Sequence, residues 1–524
     1  MIPDGFRSRR CDAIRRCRLR FCFCRRRWTN QLNTGNNTRS LYRIQSVSFS
    51  DKEVDMSVQQ KAIGKTRRGF LRGGLGGAVG VGLATSFLET TSFLEKRAVA
   101  LPKSRDLTIT KVDRIMVQVP FRETPARSMA REIPHWQYSE IFRVHLASGV
   151  MGVGETLYYY TWKRSSDANA EAVRGKNAAE LMWNDDLGAG LQMALFDAVA
   201  KSAGVPIHRL LGAQIYERTP LSWWNIDTSA EDMAAECEEA FRQGYMAYKT
   251  KGRPWFDIHK QMDAATAVVP PEFKIDMDFN DTLLDARRAI PILKDLESYP
   301  QTDIFESPIF QGDIPGNQAI CRATRIPVAF HYGRPPVGEI INRRVCDGFV
   351  VGGGATKVMA AGHVAAEAKM PFWLQLVGTG ITAAYSLHFG AVLRQAIWPA
   401  VNCHQLFVHP MLTEPIRVSQ GFAAVPTRPG LGYEVDWEMV DRFRTDRPAQ
   451  RPNPARLLET SWPTGKKMYV ASTDQVNYML HLAQEGKMPF YEAGAETRLF
   501  PNDGSPQWRE LHERARREPV FSSD

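Results

Sequence analysis

Between residues 247 and 333 short apolar runs end in polar residues at almost equal intervals. The runs are AYKTKG, FKIDMDFN, DIFESP and PVAFHYG, which carry Lys251, Asp278, Glu306 and the pair His331 and Tyr332, and the steps from Lys251 to Tyr332 are 27, 28 and 26 residues. A parallel strand cannot pair with the next without a crossover, so even spacing of this size predicts repeated strand–helix units. It is close to the roughly 30 residues per unit that result when about 250 residues are shared among eight units of a closed barrel. One acid at the end of one strand is most often a solvated charge. Four polar strand ends in a common phase instead converge on one place.

The first of these ends holds Lys249 and Lys251, one residue apart. Side chains on a strand alternate faces, so the two lysines share a face while Tyr248 and Thr250 take the other. A second ammonium alongside disfavours the charged form and moves a lysine toward a working base. Asp278 and Glu306, converging from neighbouring strands, make a hard-oxygen site for a cation such as Mg²⁺, which keeps open positions for substrate oxygens. A base beside such a site suits removal of the proton next to a carboxylate, because the cation stabilises the enolate that forms.

Upstream, LTITKVDRIMVQVP and SEIFRVHLASGVMGVGET predict a small antiparallel sheet turning at Ser148 and Gly149. GLQMALFDAVAKSAGVPIHRLLG then predicts a helix stopped by Gly204 and Pro206. The formal charge of +10 suggests an anionic partner, but it is concentrated at the start. Residues 1–55 carry 13 basic against 5 acidic side chains and residues 56–100 carry 7 against 2, which leaves 47 basic and 50 acidic residues in 101–524. A nucleic-acid surface is therefore not expected on the folded part. The eight cysteines show no metal or disulfide spacing beyond the close pair Cys22 and Cys24. TRRGFLR at residues 66–72, followed by a short Gly-rich apolar run, resembles a twin-arginine export signal. Residues 1–55 are read as an upstream extension, 56–100 as the signal, and the mature protein as one of the periplasm or cell envelope, with no membrane association after signal removal.

Several of these segments together resemble the mandelate racemase and muconate lactonizing branch of the enolase superfamily. GVMGVGET and MALFDAVAKSAGVPIHRLLG look like its cap signatures, YKTKG like its K-x-K base motif, and DFN and FESP like its first two metal-ligand motifs. GTGITAAYSLHFGAVL and VPTRPGLGYEVD look like its seventh-strand segment and its C-terminal return. The resemblance implies a (β/α)7β modified TIM barrel with an N-terminal α+β capping domain that is completed by a C-terminal segment. The expected boundaries are 101–215 for the cap, 216–400 for the barrel, 401–449 for the return and 450–524 for an extension beyond the match. WRELHERARRE in that extension is expected to be a charged surface helix.

By position, the resemblance implies Lys251 as base, Lys249 as the neighbour that tunes it or touches the substrate carboxylate, and Asp278 and Glu306 as metal ligands. His331 and Tyr332 stand where the family places a third acidic ligand. Mg²⁺ is the implied cofactor, and Mn²⁺ or Zn²⁺ would suit a histidine better. The sixth strand, DGFVVGGGATK, lacks a second base, and the seventh offers Gln375. The expected function is a one-base dehydration, cycloisomerisation or isomerisation of a small carboxylic acid, such as a sugar acid, by a homo-oligomer. A non-catalytic binding protein with a remnant pocket is the alternative.

Overall fold

The computed structural model describes residues 106–523. The proposed extension and export signal lie outside them. No helix among the described residues is long and apolar enough to cross a membrane.

The chain opens with an antiparallel sheet of β1 (Ile109–Gln118), β2 (Tyr138–Leu146) and β3 (Met151–Leu157), with α1 (Glu123–Glu132) between the first two strands. The β2–β3 turn falls at Ser148 and Gly149, and Gly149 takes φ 84°, a left-handed conformation open to glycine. Helix α2 (Ala189–Ala203) lies on this sheet, and the glycines of GVMGVGET let it approach. A Cβ at Gly154 would stand 2.0 Å from Gly190 O, and one at Gly152 2.1 Å from Ala194 O.

Eight parallel strands then follow, joined by seven helices. They are β4 (Arg218–Trp224), α3 (Ala230–Arg242), β5 (Ala247–Lys251), α4 (Ile258–Thr266), β6 (Lys274–Asp278), α5 (Ala286–Leu296), β7 (Thr302–Glu306), α6 (Ile314–Ala323), β8 (Val328–His331), α7 (Val337–Arg343), β9 (Gly348–Val351), α8 (Ala355–Ala368), β10 (Phe372–Leu374), α9 (Gly380–Val392) and β11 (Ala400–Val401). Strands β4 to β10 pair in chain order and β11 pairs with β4, while β10 also packs beside β11. This is the (β/α)7β arrangement. Its strands are buried along most of their length because helices cover their outer side, and the buried charged residues of β5, β6 and β7 are those that build the site.

Two buried carboxylates hold the cap, one to the barrel and one to the returning segment. Glu155 on β3 accepts hydrogen bonds from Ser139, from the Thr379 and Thr382 backbone N–H groups at the start of α9, and from the Thr382 hydroxyl. Asp197 on α2 accepts from Val153 N and Leu431 N, both at 2.8 Å, and from Lys201 Nζ at 2.7 Å. Leu431 belongs to the returning segment 425–436, so Asp197 ties that return to the cap.

The remaining residues form a further unit. Strands β14 (Leu457–Ser461), β15 (Lys466–Ala471), β16 (Glu496–Phe500) and β17 (Val520–Ser523) make an antiparallel sheet in the order β16-β14-β15-β17, after two short strands, β12 (Val418–Ser419) and β13 (Phe422–Ala424), that extend the barrel sheet. Helices α10 (Tyr478–Gln484) and α11 (Pro506–Ala515) pack with it. The expected charged surface helix is α11, but one face is not surface: Trp508, His512 and Ala515 are buried in the cluster that includes Leu457 and Ala471. The larger core of this unit gathers Leu458, Trp462, Met468, Met479 and Leu482 around Trp255 and Phe256, which lie just beyond β5.

Trp255 is 1% exposed and donates from Nε1 to Asp227 Oδ2 at 2.7 Å. Trp255→Ala should cost about 3–5 kcal/mol in urea unfolding, and a loss under about 1 kcal/mol would show that the C-terminal unit does not depend on this anchor.

Candidate active site

Strand register brings the polar ends together. Lys251 pairs with Asp278 and Asp278 with Glu306, while one layer deeper Lys249 pairs with Asp276. Lys251 Nζ donates to Asp278 Oδ2 at 2.5 Å and lies 3.3 Å from Asn280 Oδ1. Lys249 Nζ lies 3.6 Å from Asp278 Oδ2 and touches Glu306 Oε2 at ion-pair contact, without the angle of a hydrogen bond. His331 Nε2 stands 3.1 Å from Glu306 Oε1. Each lysine thus has a carboxylate in ion-pair contact.

These contacts set the protonation states. Burial moves Lys251 below the usual ammonium range; Asp278 opposes the shift, and the charge of Lys249 adds to it. Burial works on Lys249 in the same direction, but the Glu306 and Asp278 carboxylates prevail and hold it above its ordinary value. Burial alone would raise Glu306, yet Lys249, with His331 alongside, keeps it well below the usual carboxylate range. Asp276 lies beneath, with neither carboxylate oxygen hydrogen-bonded, and burial, reinforced by Asp303, pushes it well above its ordinary value.

An inner cavity of about 190 Å³ opens above this cluster, with Lys251, Asp278, Glu306 and His331 on its floor. The cap contributes Glu132, Trp136 and Tyr160 to its walls, and Arg253 and Trp255 come from the segment after β5. It adjoins an outer cavity of about 1000 Å³. Lys249 is 1% exposed and lies beneath the residues that line the inner cavity, in contact with Asp278 and Glu306.

Tyr332 is likewise not brought to this floor. The strand has just ended at His331, and the next residue takes the opposite side, where Tyr332 N donates to Val350 O and the ring packs edge-on against Phe349. His331 faces the site, but its ring nitrogen is directed at Glu306, as a partner of that carboxylate.

Among the described residues no group of three His, Cys, Asp or Glu side chains is placed to hold a metal ion. Asp278 and Glu306 alone suit Mg²⁺, which binds through one or two carboxylates and completes its shell with water and substrate oxygens. The Lys249 ammonium reaching both carboxylates is a stand-in cation that shows the charge this pair accepts.

The comparisons with known proteins agree with this architecture. The family model described as "Enolase C-terminal domain-like" matches residues 232–439. Muconate cycloisomerase 1-2 of Acinetobacter lwoffii is 23% identical over 385 residues, covering 64% of this chain and 96% of its own. The o-succinylbenzoate synthase of Geobacillus kaustophilus is 25% identical over 279 residues, covering 51% and 72%. Among solved structures, N-succinyl Arg/Lys racemase from Bacillus cereus ATCC 14579 superposes with a TM-score of 0.54 at 19% identity, covering 65% of this chain and 98% of that one. Residues 232–439 thus match an enolase C-terminal domain-like region, and the chain is similar to muconate cycloisomerases over 64% of its length. Its relatives span cycloisomerase, synthase, racemase and dehydratase activities.

Sequence reasoning missed the walls of this pocket. Arg253, two residues beyond Lys251, donates to Asn280 Oδ1 at 2.6 Å and Phe279 O at 3.1 Å. Its place in the run Lys249, Lys251, Arg253 was the available signal. Glu132 gave none, because a buried helix-end acid reads like a solvated one. Its Oε1 accepts from Arg131 Nε at 3.1 Å, and Arg131 also pairs with Asp227. Burial, with the charge of Asp227 added and Arg131 opposing, pushes the Glu132 carboxyl up to about 7.

A folded-state value above the unfolded one gives stability that is present at low pH and lost as pH rises through about 7. Denaturant unfolding at about pH 5 and about pH 8 should therefore show wild type losing more stability over that rise than Glu132→Gln; equal losses would contradict the shift.

Proposed function

We propose that the protein removes the proton beside the carboxylate of a small organic acid, with Lys251 Nζ as the base, and that dehydration, cycloisomerisation or isomerisation follows from the one face that this lysine serves. The observation that carries the reading is Lys251 on the floor of the inner cavity, its ammonium form disfavoured by burial, beside two carboxylates suited to a cation. Neutral Lys251 would take the proton and become the ammonium, and the C–H electron pair would pass into the enolate. Asp278, already in contact with Lys251, would stabilise the ammonium so formed. Returning that proton to a departing hydroxyl gives dehydration, and returning it to another carbon of the same molecule gives isomerisation. Glycines after β9 and Gln375 after β10 supply no second base, which argues against two-base racemisation.

Asp278 and Glu306 would hold Mg²⁺, with Lys249 and His331 orienting Glu306. When bound, the ion would supply positive charge to the substrate carboxylate as it gains electron density. Export by the twin-arginine signal at 66–72 belongs to the same reading, and N-terminal sequencing of the mature protein tests it: a start at Met1 rules it out.

Two experiments test the site. In D2O, wild type given Mg²⁺ and a panel of small 2-hydroxy and unsaturated carboxylates should exchange the proton beside the carboxylate of at least one. Lys251→Ala should slow that exchange by about 10²–10⁴-fold. Binding of one such acid by wild type with no exchange under any condition would favour a remnant binding pocket. Separately, Mg²⁺ should raise the melting temperature of wild type but not of Asp278→Asn or Glu306→Gln. An equal rise in all three would place the ion elsewhere.

A further inference from the structure

Helix α10 belongs to the C-terminal unit, yet one of its faces looks into the candidate site. It starts after Asn477, which takes a left-handed conformation at φ 57°, a position asparagine tolerates. Met479, Leu482 and Ala483 sink into the core around Trp255. Asn477, Leu480 and Gln484, spaced three and four apart, therefore share another stripe. Asn477 and Leu480 line the inner cavity, and Leu480 and Gln484 line the outer one. Gln484 Nε2 also donates to Asn280 O at 2.8 Å, next to the floor.

Leu480 thus borders both cavities, as do Tyr160 and Gln375, whose side chains are hydrogen-bonded at 2.8 Å. Where the two cavities adjoin, their shared lining is this polar pair, Leu480, Asn280, His331 and Val377. The segment that follows the helix, up to β16, is tied to the residues just beyond the strand end that carries the base. Tyr491 Oη lies 2.7 Å from Thr282 Oγ1 and donates to Gly252 O at 3.0 Å; Gly494 N donates to Asp257 Oδ2 at 2.7 Å; and Thr497 Oγ1 donates to Trp255 O at 2.8 Å. Gly252 directly follows Lys251, so the base and Leu480 belong to one packed unit.

We propose that Leu480 is a specificity-determining residue: it sets the width of the passage to the inner cavity, so that the C-terminal unit admits slim, unbranched carboxylates and hinders branched or bulky ones. The substrate class rests on the reading of the inner cavity as the catalytic site; the width of the passage does not. An apolar constriction discriminates by volume, and one methylene in such a place is worth about 10–200-fold.

Cys403 is buried and lines the inner cavity, and because burial holds its thiol well above the ordinary range, labelling at alkaline pH makes it a reporter of entry that needs no turnover. Wild type, Leu480→Ala and Leu480→Trp are treated with methyl methanethiosulfonate or a pyrene maleimide, and labelling of Cys403 is followed by peptide mass spectrometry. Cys321, half-buried and outside both cavities, serves as the internal control for folding. Leu480→Ala should speed the bulky reagent at Cys403 by about tenfold, and Leu480→Trp should slow the small one by a similar factor, with Cys321 rates unchanged. Equal Cys403 rates in all three proteins, zero included, overturn the proposal. Absence of proton exchange in every variant would instead remove the catalytic reading and leave the passage to be judged by labelling alone.

Discussion

Two lysines and two carboxylates at the open end of the barrel must neutralise one another, because an unpaired charge taken out of water costs several kcal/mol. Lys249 is held beneath Glu306 and Asp278, and Lys251 above against Asp278. The pairing is asymmetric. The deeper lysine is locked in its charged form by two acids, and the outer one, with a single acid and a like charge below it, is the easier to deprotonate. The close pair of lysines is thus not a pair of equivalent bases. One is a structural cation, and its charge also helps to tune the other.

The rest of the fold encloses and aligns that cluster. Successive strand registers carry Lys251, Asp278 and Glu306 to one height. The cap is clamped by Glu155 across β3 and α9 and by Asp197 across α2 and the returning segment. The C-terminal unit closes another side by building its core on Trp255 and Phe256. Removal of any clamp would admit water, and with it the dielectric that weakens every ion pair at the site.

Much of this was legible in the sequence because it follows from periodicity. The interval near 27 residues fixed the strand–helix unit, and alternation along β5 put both lysines on one face. The same alternation could have separated His331 from Tyr332, since adjacent residues at a strand end cannot both point inward; treating them as a pair overlooked it. What stayed hidden depends on contacts distant in sequence. Glu132 acquires its unusual environment from Asp227 and Arg131, and Leu480 from the docking of a whole unit onto the barrel mouth. Neither residue belongs to a motif, and no local pattern marks a helix whose second face looks into a cavity lined in part by residues more than 200 positions earlier, Lys251 among them.

The central claim is that Lys251, and not Lys249, is the amine poised to accept a proton. Cyanate reacts only with a neutral amine, so the pH dependence of carbamoylation at each lysine, read peptide by peptide in the folded protein, measures this directly. Lys251 should become reactive at a lower pH than the exposed lysines of the chain, and Lys249 should remain protected while the fold persists. Lys251 titrating together with the exposed lysines, or reacting only after Lys249, would contradict the account.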